Sequence, residues 1–157
     1  MDNFVLMFFM ACFGPKNIMT SYHVDPPSYT WLEIPETPAD HAWRNPKLRS
    51  TIYVKANCGS YFEDRTLKDS ILSLTRGLEI SPPITQEELQ IANRKALFQV
   101  MDSEIDGVPV RLGMLVVSKN SCLYDFLFIS PKRYFADGVP DFLYTAQSLN
   151  TNYIEDK

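Results

Sequence analysis

The stretch that decides the fold lies in the second half of the chain, where residues 105–129 read IDGVPVRLGMLVVSKNSCLYDFLFI. Asp106-Gly107 is a strong hairpin signal, and Lys119-Asn120 indicates a second turn. The apolar runs that follow them, Val108 to Ser118 and Cys122 to Ile129, are predicted to be strands. Strands joined by such short turns pair antiparallel, so this stretch predicts a β-meander.

Upstream of the meander, Leu89 to Ala92 and Ala96 to Met101 are strand-like and are interpreted as one strand bent at Asn93-Arg94. A helix is predicted before them, capped by Asp64 and ended by Gly77. Its apolar residues recur on a single helical face; they are Leu67, Ile71, Leu74 and Leu78.

Strands are also expected at Tyr29 to Ile34 and at Ser50 to Asn57, and a final helix is expected from about Val139 to Leu149. The resulting order is two strands, a helix, three strands and a helix. This order predicts an α+β fold, with helices packed on one antiparallel sheet in a single domain.

Composition limits the classes of partner. The chain has 157 residues, 15 Lys and Arg against 19 Asp and Glu, and a formal net charge of -4. A mildly acidic chain with scattered basic residues is a poor partner for a phosphate backbone, so we expect no nucleic-acid binding.

The N-terminus carries an uncharged apolar run, Phe4 to Phe13, that is too short to span a bilayer as a helix. Its length suits a signal-peptide core, and Ala11 precedes Cys12 as in a degenerate bacterial lipobox. We therefore interpret residues 1–12 as a lipoprotein signal segment with Cys12 as the lipidated residue. The alternative is an ordinary N-terminal segment without a targeting role.

The predicted domain boundaries follow from composition. Residues 13–28 contain Gly and three Pro with little periodicity, which is typical of a tether. The α+β domain is assigned to residues 29–150, and residues 151–157 form a C-terminal tail.

The three cysteines are Cys12, Cys58 and Cys122. If Cys12 is lipidated, the remaining two have the even count that an oxidising compartment favours. Cys58 follows one predicted strand and Cys122 begins another, so a disulfide between them is expected. The alternative is a cytosolic protein in which both are buried free thiols.

Catalytic residues are sparse, and we predict that the chain is not an enzyme. His41 follows Asp40, but neighbouring side chains rarely meet, and no Gly-x-Ser-x-Gly accompanies it. Asp125 interrupts an apolar strand; it is expected to face outward, or else to pair with Arg94 or Arg111 if it points inward. No spacing indicates a metal site or a cofactor.

Aromatic residues offer the remaining candidates for ligand contact. Trp31, Trp43, Tyr134 and Phe135 are candidate residues of a ligand groove, although aromatic side chains more often form the core.

Three motifs resemble a family of small, uncharacterised bacterial proteins regarded as lipoproteins. They are Asn93-Arg94-Lys95-Ala96, Ile105 to Val110, and Lys119 to Asp125, with Asn93 where that family has Gly. In the first half, Trp31, Ala39 to Trp43 and Cys58 also match, so the resemblance covers about residues 29 to 149. The layout is also similar to the PsbP-like fold, whose members are mostly binding or assembly modules without catalysis.

The resemblance implies a membrane-anchored binding or accessory module that faces the periplasm of the bacterial cell envelope. Some members of the family accompany Mce-type lipid-transport systems, so envelope transport proteins are expected partners. Two alternatives are a periplasmic carrier of an apolar small molecule, using a cavity between sheet and helices, and a cytosolic protein-interaction domain with free thiols.

Overall fold

Seven antiparallel strands form one sheet in the computed structural model, which describes residues 21–59 and 65–151. The spatial order of the strands is β1-β2-β3-β7-β6-β5-β4. In chain order they are β1 (Leu32–Glu33), β2 (His41–Asn45), β3 (Ser50–Cys58), β4 (Thr85–Ile91), β5 (Arg94–Ile105), β6 (Val108–Lys119) and β7 (Cys122–Ser130).

Two helices cover opposite faces of this sheet, α1 (Leu67–Leu74) and α2 (Lys132–Gln147). On the first face, Ile71 and Leu74 of α1 pack in a cluster with apolar residues of β5, β6 and β7. On the second face, the rings of Phe135 and Phe142 of α2 lie 5.1 and 5.6 Å from that of Phe128. The predicted α+β fold, an antiparallel sheet with helices packed on it, is confirmed.

The meander is more regular than the sequence indicated. Ala92-Asn93 is a two-residue turn with both φ angles positive, so β4 and β5 are two paired strands and not one bent strand. Asp106-Gly107 forms the predicted hairpin turn. The third turn is formed by Asn120-Ser121, one residue later than predicted.

Several element boundaries differ from the predictions. The strand expected at Tyr29 to Ile34 shrinks to Leu32–Glu33, while β2 was not predicted. Thr66 caps α1 through its hydroxyl, which accepts from the Asp69 amide, whereas Asp64 lies outside the described residues. Helix α2 begins at Lys132 instead of Val139 and continues through Pro140.

The tether prediction needs a correction, because residues 21–28 belong to the folded domain. The backbones of His23 and Asn150 exchange hydrogen bonds of 3.0 and 2.9 Å, and Val24 is buried in the core. Residues 1–20, which hold the signal segment, Cys12 and the rest of the tether, lie outside the described residues, as do residues 152–157. Neither helix of the described part has the length and hydrophobicity to cross a bilayer.

Candidate functional site

A disulfide bond lies at the end of the sheet where β3 ends and β7 begins, near the buried polar residues described next. Cys58 at the end of β3 and Cys122 at the start of β7 are cross-strand partners joined by a disulfide bond, as predicted. Beyond it, the Gly59 amide donates to the Ser121 carbonyl oxygen at 2.9 Å. The disulfide and this bond hold β3 against the turn between β6 and β7.

Asp125 of β7 is buried on the α1 face, with 2% of its surface exposed. The Asn57 side chain donates to Asp125 Oδ2 at 3.2 Å, and Oδ1 has no hydrogen-bond partner among the described residues. Burial raises the pKa of the Asp125 carboxyl to about 8, against the lowering effects of the Asn57 hydrogen bond and the Arg65 charge. The carboxyl is therefore mostly protonated at neutral pH.

This arrangement corrects the prediction that Asp125 faces outward. The partner of the Asp125 carboxyl also differs from those predicted. Arg111 Nε donates to Asp102 Oδ1 at 2.8 Å instead, and Asn57 is the hydrogen-bond donor to Asp125. Asn57 lies opposite Leu123 in the register of β3 and β7, one diagonal step from Asp125.

Lys55 is the second buried ionisable residue on this face, with 1% of its surface exposed. It is the direct cross-strand partner of Asp125, but its ammonium donates to the Pro38 carbonyl oxygen at 3.2 Å. A buried ammonium needs such an acceptor, so this bond ties β3 to the segment before β2.

A cleft of about 570 Å³ opens beside this polar cluster, between the start of α1 and the adjacent ends of β4, β5 and β6. We call it the cationic cleft. Among the described residues, its lining contains three cationic, four uncharged polar and one apolar residue, and none that is acidic: Arg65, Thr66, Leu67, Gln90, Asn93, Arg94, Lys95 and Ser118. The charges favour an anionic ligand over an apolar one.

A smaller cleft of about 270 Å³ adjoins the cationic cleft and shares Leu67 and Lys95 with it. Leu67, Ala96 and Leu97 give it an apolar part, and Glu88 contributes an acidic side chain. The Glu88 carboxylate lies 3.4 Å from the Lys95 ammonium, and both side chains are about two-thirds exposed. Such an exposed ion pair contributes little to stability, so another anion can compete with Glu88 for the Lys95 ammonium.

His41 lies on the opposite face of the sheet, among aromatic rings. Its ring stacks on Trp43 at 5.8 Å and meets Tyr22 edge-on at 5.7 Å. The neighbouring Asp40 carboxylate accepts from the Tyr22 hydroxyl at 2.7 Å and from the Ala56 amide at 2.9 Å. Burial, followed by the Asp40 charge, raises the pKa of the Tyr22 hydroxyl far above its usual value.

The structure places three of the four predicted groove residues in the core and the fourth beside an arginine. Trp31, Trp43 and Phe135 are buried in the core on the α2 face, and the Trp31 Nε1 donates to Asp141 Oδ2 at 2.9 Å. Tyr134 lies under the Arg133 guanidinium, 4.7 Å from its ring centre. Neither of the two clefts described above is lined by any of the four.

The residues of the cationic cleft were not identified from the sequence. Arg65, Arg94 and Lys95 come from two separate segments, and only the pairing of β4, β5 and β6 beside α1 brings them together. A usable signal was the Ala92-Asn93 turn, which would have placed Gln90 beside Lys95. Within the described ranges, no three His, Cys, Asp or Glu residues are grouped so that they could hold a metal ion.

No protein-family model and no curated protein matches the chain. Solved structures do match it in fold. Cyanobacterial PsbP (CyanoP) from Synechocystis sp. PCC 6803 has a TM-score of 0.56 at 12% identity, over 88% of this chain and 96% of that protein. LpqN of Mycobacterium tuberculosis, involved in cell envelope biogenesis, has a TM-score of 0.53 at 12% identity, over 84% of each chain.

A protein from Bacteroides thetaiotaomicron also matches, with a TM-score of 0.55 at 11% identity over 89% of this chain. The chain spans about half, 51%, of the length of that protein. Likenesses at such low identity show the fold alone. The fold is PsbP-like, as the resemblance in the sequence implied.

Proposed function

We propose that this PsbP-like chain is a non-catalytic binding or accessory module of the bacterial cell envelope, anchored to a membrane through Cys12 and facing the periplasm. The observation that carries the proposal is the disulfide between Cys58 and Cys122. Disulfides persist in oxidising compartments and are rare in the cytosol. The third cysteine, Cys12, follows an apolar segment of signal-peptide length.

A structural neighbour gives limited support to this location. LpqN, which shares the fold, is involved in cell envelope biogenesis. The proposal extends to envelope transport proteins as partners, and affinity capture of the anchored chain after cross-linking in cells tests that part. Recovery of transport subunits with the anchored chain but not with a Cys12→Ser chain is the expected result.

The geometry also supports a binding module over an enzyme. His41 packs with Trp43 on the α2 face, whereas Asp125 points to the α1 face, where Asn57 contacts it. The sheet separates the two side chains, so they cannot act together as an acid–base pair. The polar lining of the cationic cleft likewise does not suit a carrier of an apolar molecule.

The proposal is tested by the intact mass of the protein from a native membrane fraction, with thiol alkylation before and after reduction. The expected result is a mature chain that begins at Cys12, carries acyl mass, and gains two alkylated thiols only after reduction. A full-length chain without lipid and with three free thiols would return the protein to the cytosol and overturn the proposal.

A further inference from the structure

The cationic cleft lies at the same end of the sheet as the first described residues of the chain. The Tyr22 ring packs on Tyr124 at 5.3 Å, and Tyr124 faces Ala56 on one side and Val117 on the other. The next residue of β6, Ser118, lines the cleft. Along the strand direction, Tyr22 and the cleft are therefore separated by about one residue, although Tyr22 lies on the α2 face of the sheet and the cleft on the α1 face.

Their lateral separation is also small. From β3, beside Tyr22, to β5, which supplies Arg94 and Lys95 of the cleft, the sheet has three strand spacings. At about 4.8 Å each, these amount to about 14 Å. The nine Cα–Cα steps from Cys12 to Ser21 can span at most about 30 Å. A lipid on Cys12 would therefore hold this end of the domain within reach of the headgroup layer.

We propose that the cationic cleft binds the phosphate of an anionic lipid headgroup in the membrane to which Cys12 anchors the chain. This inference rests on the proposed anchoring and adds a ligand to it. Within residues 21–59 and 65–151, the cleft is lined by three cations and by no acidic residue, in a chain whose net charge is -4. The cleft is therefore positively charged in a chain whose net charge is negative.

The cations have different roles in this arrangement. Lys95 is exposed at the start of β5 on the same face as Leu97, so its ammonium can contact a phosphate directly, whereas Arg94 alternates to the other face and borders the cleft from the β4–β5 turn. The Arg65 guanidinium donates to the Asp69 carbonyl oxygen and to the Ser73 hydroxyl, so it contributes mainly charge. The Lys95 ammonium also lies 3.4 Å from the Glu88 carboxylate, and a phosphodiester, whose negative charge is shared by two oxygens, would compete for it.

The apolar part of the smaller cleft favours a lipid over a free phosphate. Leu67 borders both clefts, and Leu97 lies on the inner side, so the surface changes from cationic to apolar over a short distance. A phospholipid has the same sequence of groups, since its phosphate precedes the glycerol and the acyl chains. A free phosphate would use only the cationic part.

The test is a titration of the full-length chain carrying Cys12→Ser, followed by NMR amide shifts. The probes are dihexanoyl phosphatidylglycerol below its micelle concentration, dihexanoyl phosphatidylcholine and inorganic phosphate. Phosphatidylglycerol is expected to shift Asn93, Lys95 and Ser118, with an affinity at least tenfold above that of the other two probes. Both Lys95→Glu and Arg94→Glu are expected to weaken this binding at least tenfold.

Lys47→Glu is the matched control, because it makes the same charge change at an exposed position between β2 and β3, at the other end of the sheet. It should leave the affinity within twofold of the unmodified cleft. Equal affinity for inorganic phosphate would overturn the lipid source. An equal loss of affinity in Lys47→Glu would overturn the assignment of the binding site. Retained binding in both Lys95→Glu and Arg94→Glu, with unchanged melting temperatures, would also overturn it. The intact-mass measurement tests the lipid anchor separately.

Discussion

At the scale of single residues, Asp125 is the least expected feature of the molecule. It lies in β7, the middle strand of the sheet, where helices and loops cover both faces. An unpaired carboxylate in such a place would be costly, so the group remains protonated in the folded state. Asn57 supplies one hydrogen bond, which a neutral carboxyl also accepts.

Replacing Asp125 with Asn is expected to flatten the pH dependence of stability between about pH 4 and pH 8. A carboxyl of the unfolded chain ionises near pH 4, whereas burial raises the pKa of Asp125 to about 8 in the folded protein. A raised pKa favours the folded state at low pH, and this contribution is lost as the pH rises through that interval. Denaturant unfolding at several pH values measures the difference.

The exposed Asp137 of α2 supplies the control, because Asp137→Asn makes the same chemical change at the surface. It should leave the pH dependence unaltered. The same slope for wild type and for Asp125→Asn would show that Asp125 titrates as it does in the unfolded chain.

At the scale of elements, the turn between β6 and β7 contains a residue that does not favour its backbone conformation. Asn120 and Ser121 both have positive φ angles, of 53° and 62°, and the second position of such a turn prefers Gly. Ser121→Gly is therefore expected to raise the free energy of unfolding by about 0.5–1 kcal/mol. Urea unfolding measures it, and a loss of stability would mean that the Ser121 side chain contributes more than the backbone strain costs.

Helix α2 approaches the sheet at Gly138. A Cβ atom there would lie 2.6 Å from Cζ of Phe128, whose ring is held between Phe135 and Phe142. In an open helix Gly→Ala stabilises by about 1 kcal/mol. Here Gly138→Ala is expected to destabilise by about 1–3 kcal/mol. Thermal unfolding beside the exposed control Asp137→Ala gives the comparison, and a stabilised Gly138→Ala protein would contradict the close packing.

The same elements show what the sequence could and could not predict. The Asp106-Gly107 hairpin was predictable because turn chemistry is local. The orientation of Asp125 was not predictable, because a strand buried on both faces lacks the alternation of polar and apolar residues that distinguishes its inner from its outer face. Helix α2 was predicted to begin only at about Val139, whereas packing on the sheet carries it from Lys132 through Gly138, a residue that normally weakens a helix. The cationic cleft depends on register, which single segments do not reveal.

At the scale of the whole molecule, the disulfide links the two halves of the sheet over a sequence separation of 64 residues. In the chain-entropy model a loop of this size stabilises the fold by about 4 kcal/mol. Replacing both Cys58 and Cys122 with Ala is expected to lower the free energy of unfolding by that order, as measured in denaturant. Cys12→Ser serves as the control and should not change it; an unchanged double variant would contradict the estimate.

The connectivity of the strands also sets an order of assembly. Strands β4 to β7 follow one another through two-residue turns, whereas β3 must find β7 across a long intervening segment. Closing short loops loses less entropy, so the meander is expected to form first and to act as a template for β3. Oxidation would then be the last step. Pulsed hydrogen exchange during oxidative refolding should show protected β4–β7 amides before the Cys58 and Cys122 thiols disappear.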